Sequence, residues 1–163
     1  VFRNPKDTMV SYFHFYKGVD DYGPWKGDWN TFFQMFLEGH TVAGDWFQVT
    51  KAWWTAKHSR HLCLFFEDLL RQPKDEIKKI AEFSGKTLSQ EDLETIYSHT
   101  RFEKMKANPS TNYTQMPGIN FQFMRKGQIG DWKNYFTVAQ NELFESIYAE
   151  RMKDVPDLKF TYE

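Results

Sequence analysis

Cysteine is almost missing from this sequence, and so is any long apolar stretch. Cys63 is the single cysteine in 163 residues, so the chain cannot form an internal disulfide. Its apolar neighbours in the run HLCLFF predict a small buried thiol, and a reducing compartment fits. No segment approaches the roughly 20 apolar residues that span a membrane, and no signal peptide opens the chain. We therefore expect a cytoplasmic protein with no membrane partner.

A strong net charge is also missing. The 21 basic and 22 acidic residues nearly cancel and leave a formal net charge of −1. Such a chain has no overall field that would draw it onto nucleic acid, so no nucleic-acid partner is expected. Any recognition of an anion must come from a local group of residues.

Several motifs of catalytic chemistry do not occur. The sequence contains no GxxxxGK[ST] phosphate loop, no GxGxxG, no CxxC and no HExxH. The five histidines lack the spacing of metal ligands, and the acidic pairs at 20–21 and 67–68 are weak candidates for a metal site. We expect no metal cofactor.

Helices and one short buried strand account for most of what is present. Hydrophobic residues make up 40% of the chain, enough for the core of a single domain. Capping and stop signals predict helices over 6–18, 28–37, 44–58, 73–85, 89–100 and 139–154, and a long loop over 108–120. The apolar run 61–66 predicts a strand buried on both faces, and Val1 and Phe2 resemble the end of another.

This order of elements predicts an α/β fold. Helices that separate short buried strands indicate a parallel sheet with right-handed crossovers. Two strands do not make a stable sheet, and the chain begins VFRNPKD without an initiating Met. We therefore expect one domain over 1–163 that lacks an N-terminal part with further strands.

Arg3 and Ser11 form the first candidate site. Arg3 follows the predicted first strand, at the edge of an α/β sheet where ligands gather. Ser11 lies two helical turns further on, and an Arg fork with a hydroxyl suits a phosphate. The alternative is an Arg paired with Asp7 and a Ser that faces a neighbouring helix.

The segment FMRKGQIGDW is the second candidate. Arg125 and Lys126 supply charge, and the missing Cβ of Gly127 allows backbone N–H groups to approach an oxyanion. The alternative is a basic surface loop with structural glycines. A third group, Thr100, Phe102 and Met105, would suit a flat base, although Phe102 and Met105 also have the spacing of core residues on a helix.

Three of these stretches together resemble the cytosolic sulfotransferases. RNPKDTMVSYFHFY (3–16) resembles the Arg and Ser segment that binds a 3′-phosphate in that family. LFFEDL (64–69) resembles its strand ending in Tyr-Glu-Asp, and FMRKGQIGDWKNYFT (123–137) resembles its RKGxxGDWKxxFT motif. The resemblance implies the C-terminal portion of a fold like that of the P-loop kinases, a parallel sheet flanked by helices.

The resemblance also implies an activity and a set of site residues. The family transfers a sulfuryl group from 3′-phosphoadenosine 5′-phosphosulfate to a hydroxyl or amine of a small acceptor, releases 3′-phosphoadenosine 5′-phosphate, and needs no metal. The implied nucleotide-binding residues are Arg3, Ser11, Phe66, Thr100, Phe102, Met105, Phe123, Met124, Arg125, Lys126 and Gly127, and Phe15 would face the acceptor. Phenols, steroids and amines all stay open as acceptors.

A short dimer motif of the family, KxxxTVxxxE, has counterparts here. Lys133, Thr137, Val138 and Glu142 stand at that spacing. So small a contact would bury little area, so a weak homodimer is expected.

The sequence also departs from the family pattern. Phe66 replaces the usual Tyr, Arg101 stands where a Ser is common, and the loop between Tyr113 and Phe121 is shorter than in the family. The family's phosphosulfate loop and catalytic His both precede the segment aligned with Arg3. No catalytic residue is therefore assigned within 1–163, and we expect the chain by itself to be inactive.

Two other function classes stay open at this point. One is a catalytically inactive relative that keeps nucleotide binding or acts as an interaction module. The other is a nucleotide kinase of the same general fold, which dependence on magnesium would distinguish.

Overall fold

The computed structural model describes residues 1–19, 25–56, 60–113 and 122–163. Within these ranges the chain forms nine α-helices and one 3₁₀ helix, Asp131–Asn134. The α-helices are α1 (Pro5–Gly18), α2 (Trp29–Glu38), α3 (Trp46–Thr55), α4 (Phe66–Arg71), α5 (Pro73–Phe83), α6 (Gln90–Thr100), α7 (Phe102–Ala107), α8 (Pro109–Asn112) and α9 (Val138–Arg151). No helix in these ranges has both the length and the apolar character to cross a lipid bilayer.

The start of α1 follows directly from its sequence. The Asn4 side chain accepts a hydrogen bond from the Asp7 backbone N–H at 2.8 Å, and Pro5 occupies the first turn, where its missing N–H costs nothing. Asp7 in the first turn and Lys17 in the last both complement the helix dipole. The predicted helix is confirmed, and Arg3 is held immediately before it.

Side-chain caps also fix α2 and α3. The carboxylate of Asp28 accepts from Thr31 N at 2.9 Å, and that of Asp45 accepts from Phe47 N at 2.9 Å. Gly39 ends α2 at φ 76°, a conformation that glycine adopts without strain. Both predicted helices form, although α3 ends at Thr55 and 57–59 lie outside the described residues.

The strand predicted over 61–66 is wrong in extent. Phe66 already begins α4, and the pairing consists of one parallel bridge between Phe2 and Phe65. Phe2 N donates to Leu64 O at 2.7 Å, and Phe66 N donates to Phe2 O at 2.7 Å. The chain therefore pairs in the predicted direction, but no regular strand is present in the described ranges.

Two further predictions need correction. Cys63 is partly exposed rather than buried. The long loop predicted over 108–120 begins with α8, which the Asn108 side chain caps by accepting from Ser110 N at 3.0 Å. The rest of that loop, and the shortening expected between Tyr113 and Phe121, fall on 114–121, outside the described residues.

The remaining predicted helices are confirmed. Pro73 starts α5, and Ser89 forms a capping box with Asp92 at the start of α6. From α4 to α8, consecutive helices pack on one another, whereas α1 packs on α2 and on the 3₁₀ helix.

Aromatic rings make up most of the core. α1 and α2 meet through edge-to-face contacts, such as Tyr16 with Phe32 at 5.2 Å between ring centroids. The buried core cluster consists of Met9, Phe13, Tyr16, Phe32, Phe33, Phe36, Leu37, Phe47, Phe144, Met152, Val155 and Leu158. This core fixes α1, which carries Ser11 and is preceded by Arg3, against α9 and the segment that leads into it.

Candidate nucleotide-binding site

All eleven residues predicted to bind the nucleotide line one cavity of about 590 Å³. They come from the residue before the cap of α1, the middle of α1, the start of α4, the end of α6, α7 and the segment 123–127. An apolar wall that the sequence prediction missed completes the cavity; it includes Leu69, Leu70, Pro73, Ile77, Ile80 and Ile96. These residues follow the apolar face of α4 to α6, and helical periodicity alone does not separate a cavity wall from a core.

Arg3 is a cation with few partners inside this cavity wall. Its Nη2 donates to the Gln128 carbonyl oxygen at 3.5 Å, and its Nε is buried with no partner among the described residues. The guanidinium carbon lies 4.2 Å from the centroid of the Phe66 ring, a cation–π contact. Burial lowers the pKa of Arg3, although Asp7 and Glu67 oppose that shift. A half-buried guanidinium whose buried Nε has no partner among the described residues suits an anionic ligand.

Asp7 does not form the predicted alternative ion pair with Arg3. Its carboxylate accepts from the backbone N–H of Gly130 at 2.7 Å and from that of Trp132 at 2.9 Å. Asn4 Nδ2 donates to the same carboxylate at 2.9 Å. Asp7 thus joins α1 to the segment 123–132, and it leaves Arg3 free to face the cavity.

Arg125 and Lys126 are held by a second carboxylate. Arg125 Nη2 and Lys126 Nζ each donate to one oxygen of Asp131, and Asn134 Nδ2 donates to Asp131 Oδ1 at 2.9 Å. Burial by itself raises the pKa of Asp131, but the bonds from Lys126, Arg125 and Asn134 outweigh it and lower the pKa to about 2. The alternative of a simple basic surface loop does not describe this arrangement, because Asp131 is buried and ordered by three donors.

Gly127 is required by its surroundings. Its φ is +61°, and a Cβ added there would lie 2.2 Å from Cδ2 of Phe102. The backbone of the cationic segment therefore lies directly on the Phe102 ring. This contact brings the predicted phosphate and base regions of the site together.

The predicted base region lines the cavity rather than the core. No residue of α7 is buried, so Phe102 and Met105 are only partly covered and the core alternative is wrong for them. The Thr100 hydroxyl donates to Ile96 O at 2.8 Å, which leaves its lone pairs available to accept from a ligand. Met105 and Phe102 present a thioether and an aromatic face to the same space.

Asn112 supports this region, and the sequence prediction missed it. The Asn112 side chain is buried, donates through Nδ2 to Lys106 O at 2.7 Å, and accepts through Oδ1 from Met124 N at 3.0 Å. It thereby fixes Met124 to the end of α7. No local sequence signal marks Asn112, because its partners are six and twelve residues away.

Phe15 lies outside the first cavity. It lines a second cavity of about 850 Å³, and its ring centroid is 6.2 Å from that of Phe123, which lines the first. Arg3 and Ser11 line both cavities, so the two spaces meet beside the N-terminal half of α1. Tyr12, Trp46, Trp53 and His61 give the second cavity an aromatic wall, and Cys63 lines it as well.

The four residues of the predicted dimer motif lie on the surface. Lys133 pairs with Glu163 at 2.8 Å, and Thr137 caps α9 by accepting from Gln140 N at 3.1 Å. Val138 is 76% exposed, and Glu142 is exposed on the next turn. Among the described residues, no group of three or more His, Cys, Asp or Glu could hold a metal ion.

The family model and the curated relatives that match this chain identify the same family. Residues 1–156 match the family model described as "Sulfotransferase domain". Sulfotransferase 1A1 of Rattus norvegicus is 47% identical over 99% of this chain and 57% of its own length. Cytosolic sulfotransferase 1 of Danio rerio is 44% identical over 100% of this chain and 56% of its own length. The chain thus spans about half the length of these curated relatives.

Two solved structures superpose on most of this chain. Mouse sulfotransferase SULT7A1 complexed with PAP superposes with a TM-score of 0.82 and 32% identity, covering 94% of this chain and 56% of that one. Retinol dehydratase in complex with androsterone and inactive cofactor PAP superposes with a TM-score of 0.89 and 31% identity, covering 99% of this chain and 48% of that one.

Proposed function

This chain belongs to the sulfotransferase family, and from that premise we propose that residues 1–163 recognise the 3′-phosphate and adenine of the sulfuryl donor. The complete activity would be transfer of a sulfuryl group from 3′-phosphoadenosine 5′-phosphosulfate to a hydroxyl or amine of a small acceptor. The S–O bond to the donor's phosphate breaks, a new bond forms from sulfur to the acceptor (S–O for a hydroxyl, S–N for an amine), and 3′-phosphoadenosine 5′-phosphate is released. The acceptor loses its proton.

One observation carries the proposal: cations from two parts of the chain that are far apart in sequence, Arg3 and the pair Arg125 and Lys126, line a single cavity. Arg3 stands before α1, and Arg125 and Lys126 follow α8 by more than a dozen residues, yet all three border the same space. Arg3 also has a buried Nε without a partner among the described residues. A phosphate dianion would satisfy this group of donors, and charge-assisted bonds of this kind are the strong ones.

The remaining residues of the cavity would orient the nucleoside. Ser11 would donate its hydroxyl to the phosphate, and the Gly127 backbone would approach it closely. Phe66, Thr100, Phe102, Met105, Phe123 and Met124 would enclose the base, since stacking on an aromatic face contributes about 1 to 3 kcal/mol. The contribution of these residues to the reaction is binding and orientation.

The second cavity is the proposed place of the acceptor. It meets the first cavity at Arg3 and Ser11, and Phe15 lies in its wall. The structural relative retinol dehydratase was solved with androsterone in one structure and with retinol in another, and both are apolar molecules that carry a hydroxyl. An aromatic wall of this kind suits a phenol, a steroid or an aromatic amine.

Finer features follow from the same premise. We assign Phe2 and Phe65 to neighbouring parallel strands of the sheet that the family fold contains, which the single bridge between them supports. Lys133, Thr137, Val138 and Glu142 would form a weak homodimer contact, and the exposed Val138 supports this. We further propose a cytoplasmic location and a reaction without a metal.

Substitution of the arginines tests the proposal. Arg3→Ala and Arg125→Ala should each weaken the binding of 3′-phosphoadenosine 5′-phosphate by about 2 to 4 kcal/mol, because charge-assisted hydrogen bonds to the phosphate are lost. Isothermal titration calorimetry measures the change. Arg71→Ala is the control, since Arg71 is exposed, donates to the Glu163 carbonyl oxygen and lines neither cavity. Unchanged dissociation constants in the first two variants would contradict the assignment.

A further inference from the structure

Asp131 lies behind the cationic segment rather than in the cavity. Its side chain is 2% exposed, and it is not among the described residues that line either large cavity. Arg125 and Lys126 do line the nucleotide cavity, and each donates to a different Asp131 oxygen. The carboxylate therefore contacts both cations from outside the space that a ligand would fill.

This arrangement restricts two side chains that would otherwise be mobile. Arg and Lys each lose about 2 kcal/mol of rotamer freedom when they are fixed. The side chains of Arg125 and Lys126 are 26% and 39% exposed, so packing alone leaves them room to move. A guanidinium has five N–H donors and an ammonium has three, so both cations keep donors for a ligand after binding Asp131.

Asp131 is itself fixed by α1. The buried carboxylate of Asp7 accepts from the backbone N–H groups of Gly130 and Trp132, the residues on either side of Asp131. Asp7 and Ser11 are four residues apart on α1 and so lie on one face of that helix, and Arg3 directly precedes its N-cap. The helix that carries Ser11 and follows Arg3 thus also sets the position of Asp131.

We propose that Asp131 is a positioning residue for the 3′-phosphate site, which holds Arg125 and Lys126 in the arrangement that the phosphate needs, and that Asp7 holds Asp131. The inference rests on the nucleotide function proposed above. It runs against simple charge counting, because removal of a carboxylate beside two cations should otherwise strengthen the binding of an anion. Whether loss of the Asp131 charge weakens or strengthens the binding of the nucleotide therefore decides between a positioning role and simple charge repulsion.

The test compares two nucleotides and one nearly isosteric variant. Adenosine 3′,5′-bisphosphate carries the 3′-phosphate, and adenosine 5′-monophosphate lacks it. Asp131→Asn should raise the dissociation constant of the bisphosphate about tenfold, because the preorganisation of two charged donors is lost. It should leave that of the monophosphate unchanged. Calorimetry on the 163-residue chain gives both constants.

A matched control and a milder variant complete the experiment. Asp154→Asn removes a surface carboxylate that pairs with Lys51 at 3.1 Å, and it should change neither constant. Asn134→Ala removes the hydrogen bond that a neutral amide donates to Asp131, and it should weaken bisphosphate binding in the same direction but less, about twofold. This variant keeps the test available if Asp131→Asn does not fold.

Each outcome decides one of the two proposals. Bisphosphate binding that is equal or tighter in both the Asp131→Asn and Asn134→Ala variants overturns the positioning role and leaves the nucleotide function intact. Equal weakening of both nucleotides also overturns it, because a general structural defect explains that result. A wild-type chain that does not distinguish the two nucleotides overturns the proposed function, and the inference falls with it.

Discussion

At the residue scale, the site depends on positions where only one side chain fits. Gly127 has a left-handed φ and lies directly on the Phe102 ring. Each carboxylate oxygen of Asp131 accepts a hydrogen bond from a different cation. The sequence predicted the glycine from its motif, but the structure adds the reason, which is the ring on which the glycine packs.

Gly127→Ala tests that reason. The added Cβ would meet Phe102 at 2.2 Å, so the ring or the segment must shift. Left-handed φ alone costs an alanine about 1 kcal/mol, and the clash should bring the loss of unfolding free energy to about 2 to 3 kcal/mol. Nucleotide binding should weaken as well. Urea unfolding and calorimetry measure the two effects.

Gly85→Ala is the matched control. Gly85 has a φ of +68°, but a Cβ there would meet nothing within 4 Å. Only the conformational cost should appear, about 1 kcal/mol, with no effect on nucleotide binding. If the two variants lost equal stability and bound the nucleotide equally well, the packing of Phe102 on Gly127 would contribute to neither stability nor nucleotide binding.

At the element scale, the sequence predicted helices well and the strand poorly. Capping residues and first-turn prolines are strong local signals for a helix start, and the structure begins a helix at each of them: Asn4 with Pro5, Asp28, Pro73 and Ser89. The run 61–66 gave no such signal. Glu67 and Asp68, at the end of the predicted strand, are in fact the first-turn acids of α4.

Contacts between distant elements could not be read from the sequence. Asp7 accepts hydrogen bonds from Gly130 and Trp132, which are 123 and 125 positions further along the chain. Lys6 donates to Asn141 and Glu145 on α9. Lys6 is 3% exposed and also lies over the Trp132 and Tyr162 rings, at 4.3 and 5.0 Å from their centroids. Such partners depend on tertiary packing, and neither charge pattern nor periodicity encodes them. This buried lysine joins α1 to α9.

Lys6→Met should destabilise the fold by about 1 to 3 kcal/mol. The methionine keeps the apolar stem against the rings but loses the charge-assisted bonds to Asn141 and Glu145. Lys51→Met is the control, because Lys51 pairs with the exposed Asp154 on the surface, and it should cost less than about 1 kcal/mol. Equal midpoints in urea for Lys6→Met and the wild type would show that Lys6 does not join these helices.

At the scale of the whole molecule, a nearly neutral chain places three of its 21 basic residues beside one cavity. The net charge is only −1, yet Arg3, Arg125 and Lys126 border one cavity. The family motifs identified these residues one by one. Their convergence required the fold, since the helices α1 to α8 and most of the chain lie between Arg3 and Arg125.

A crystal structure of the chain with adenosine 3′,5′-bisphosphate tests this convergence most directly. Oxygens of the 3′-phosphate should lie within about 3 Å of the guanidinium groups of both Arg3 and Arg125. The base should lie against Phe102. A 3′-phosphate that contacts only one of the two arginines, or a nucleotide bound outside this cavity, would contradict the account.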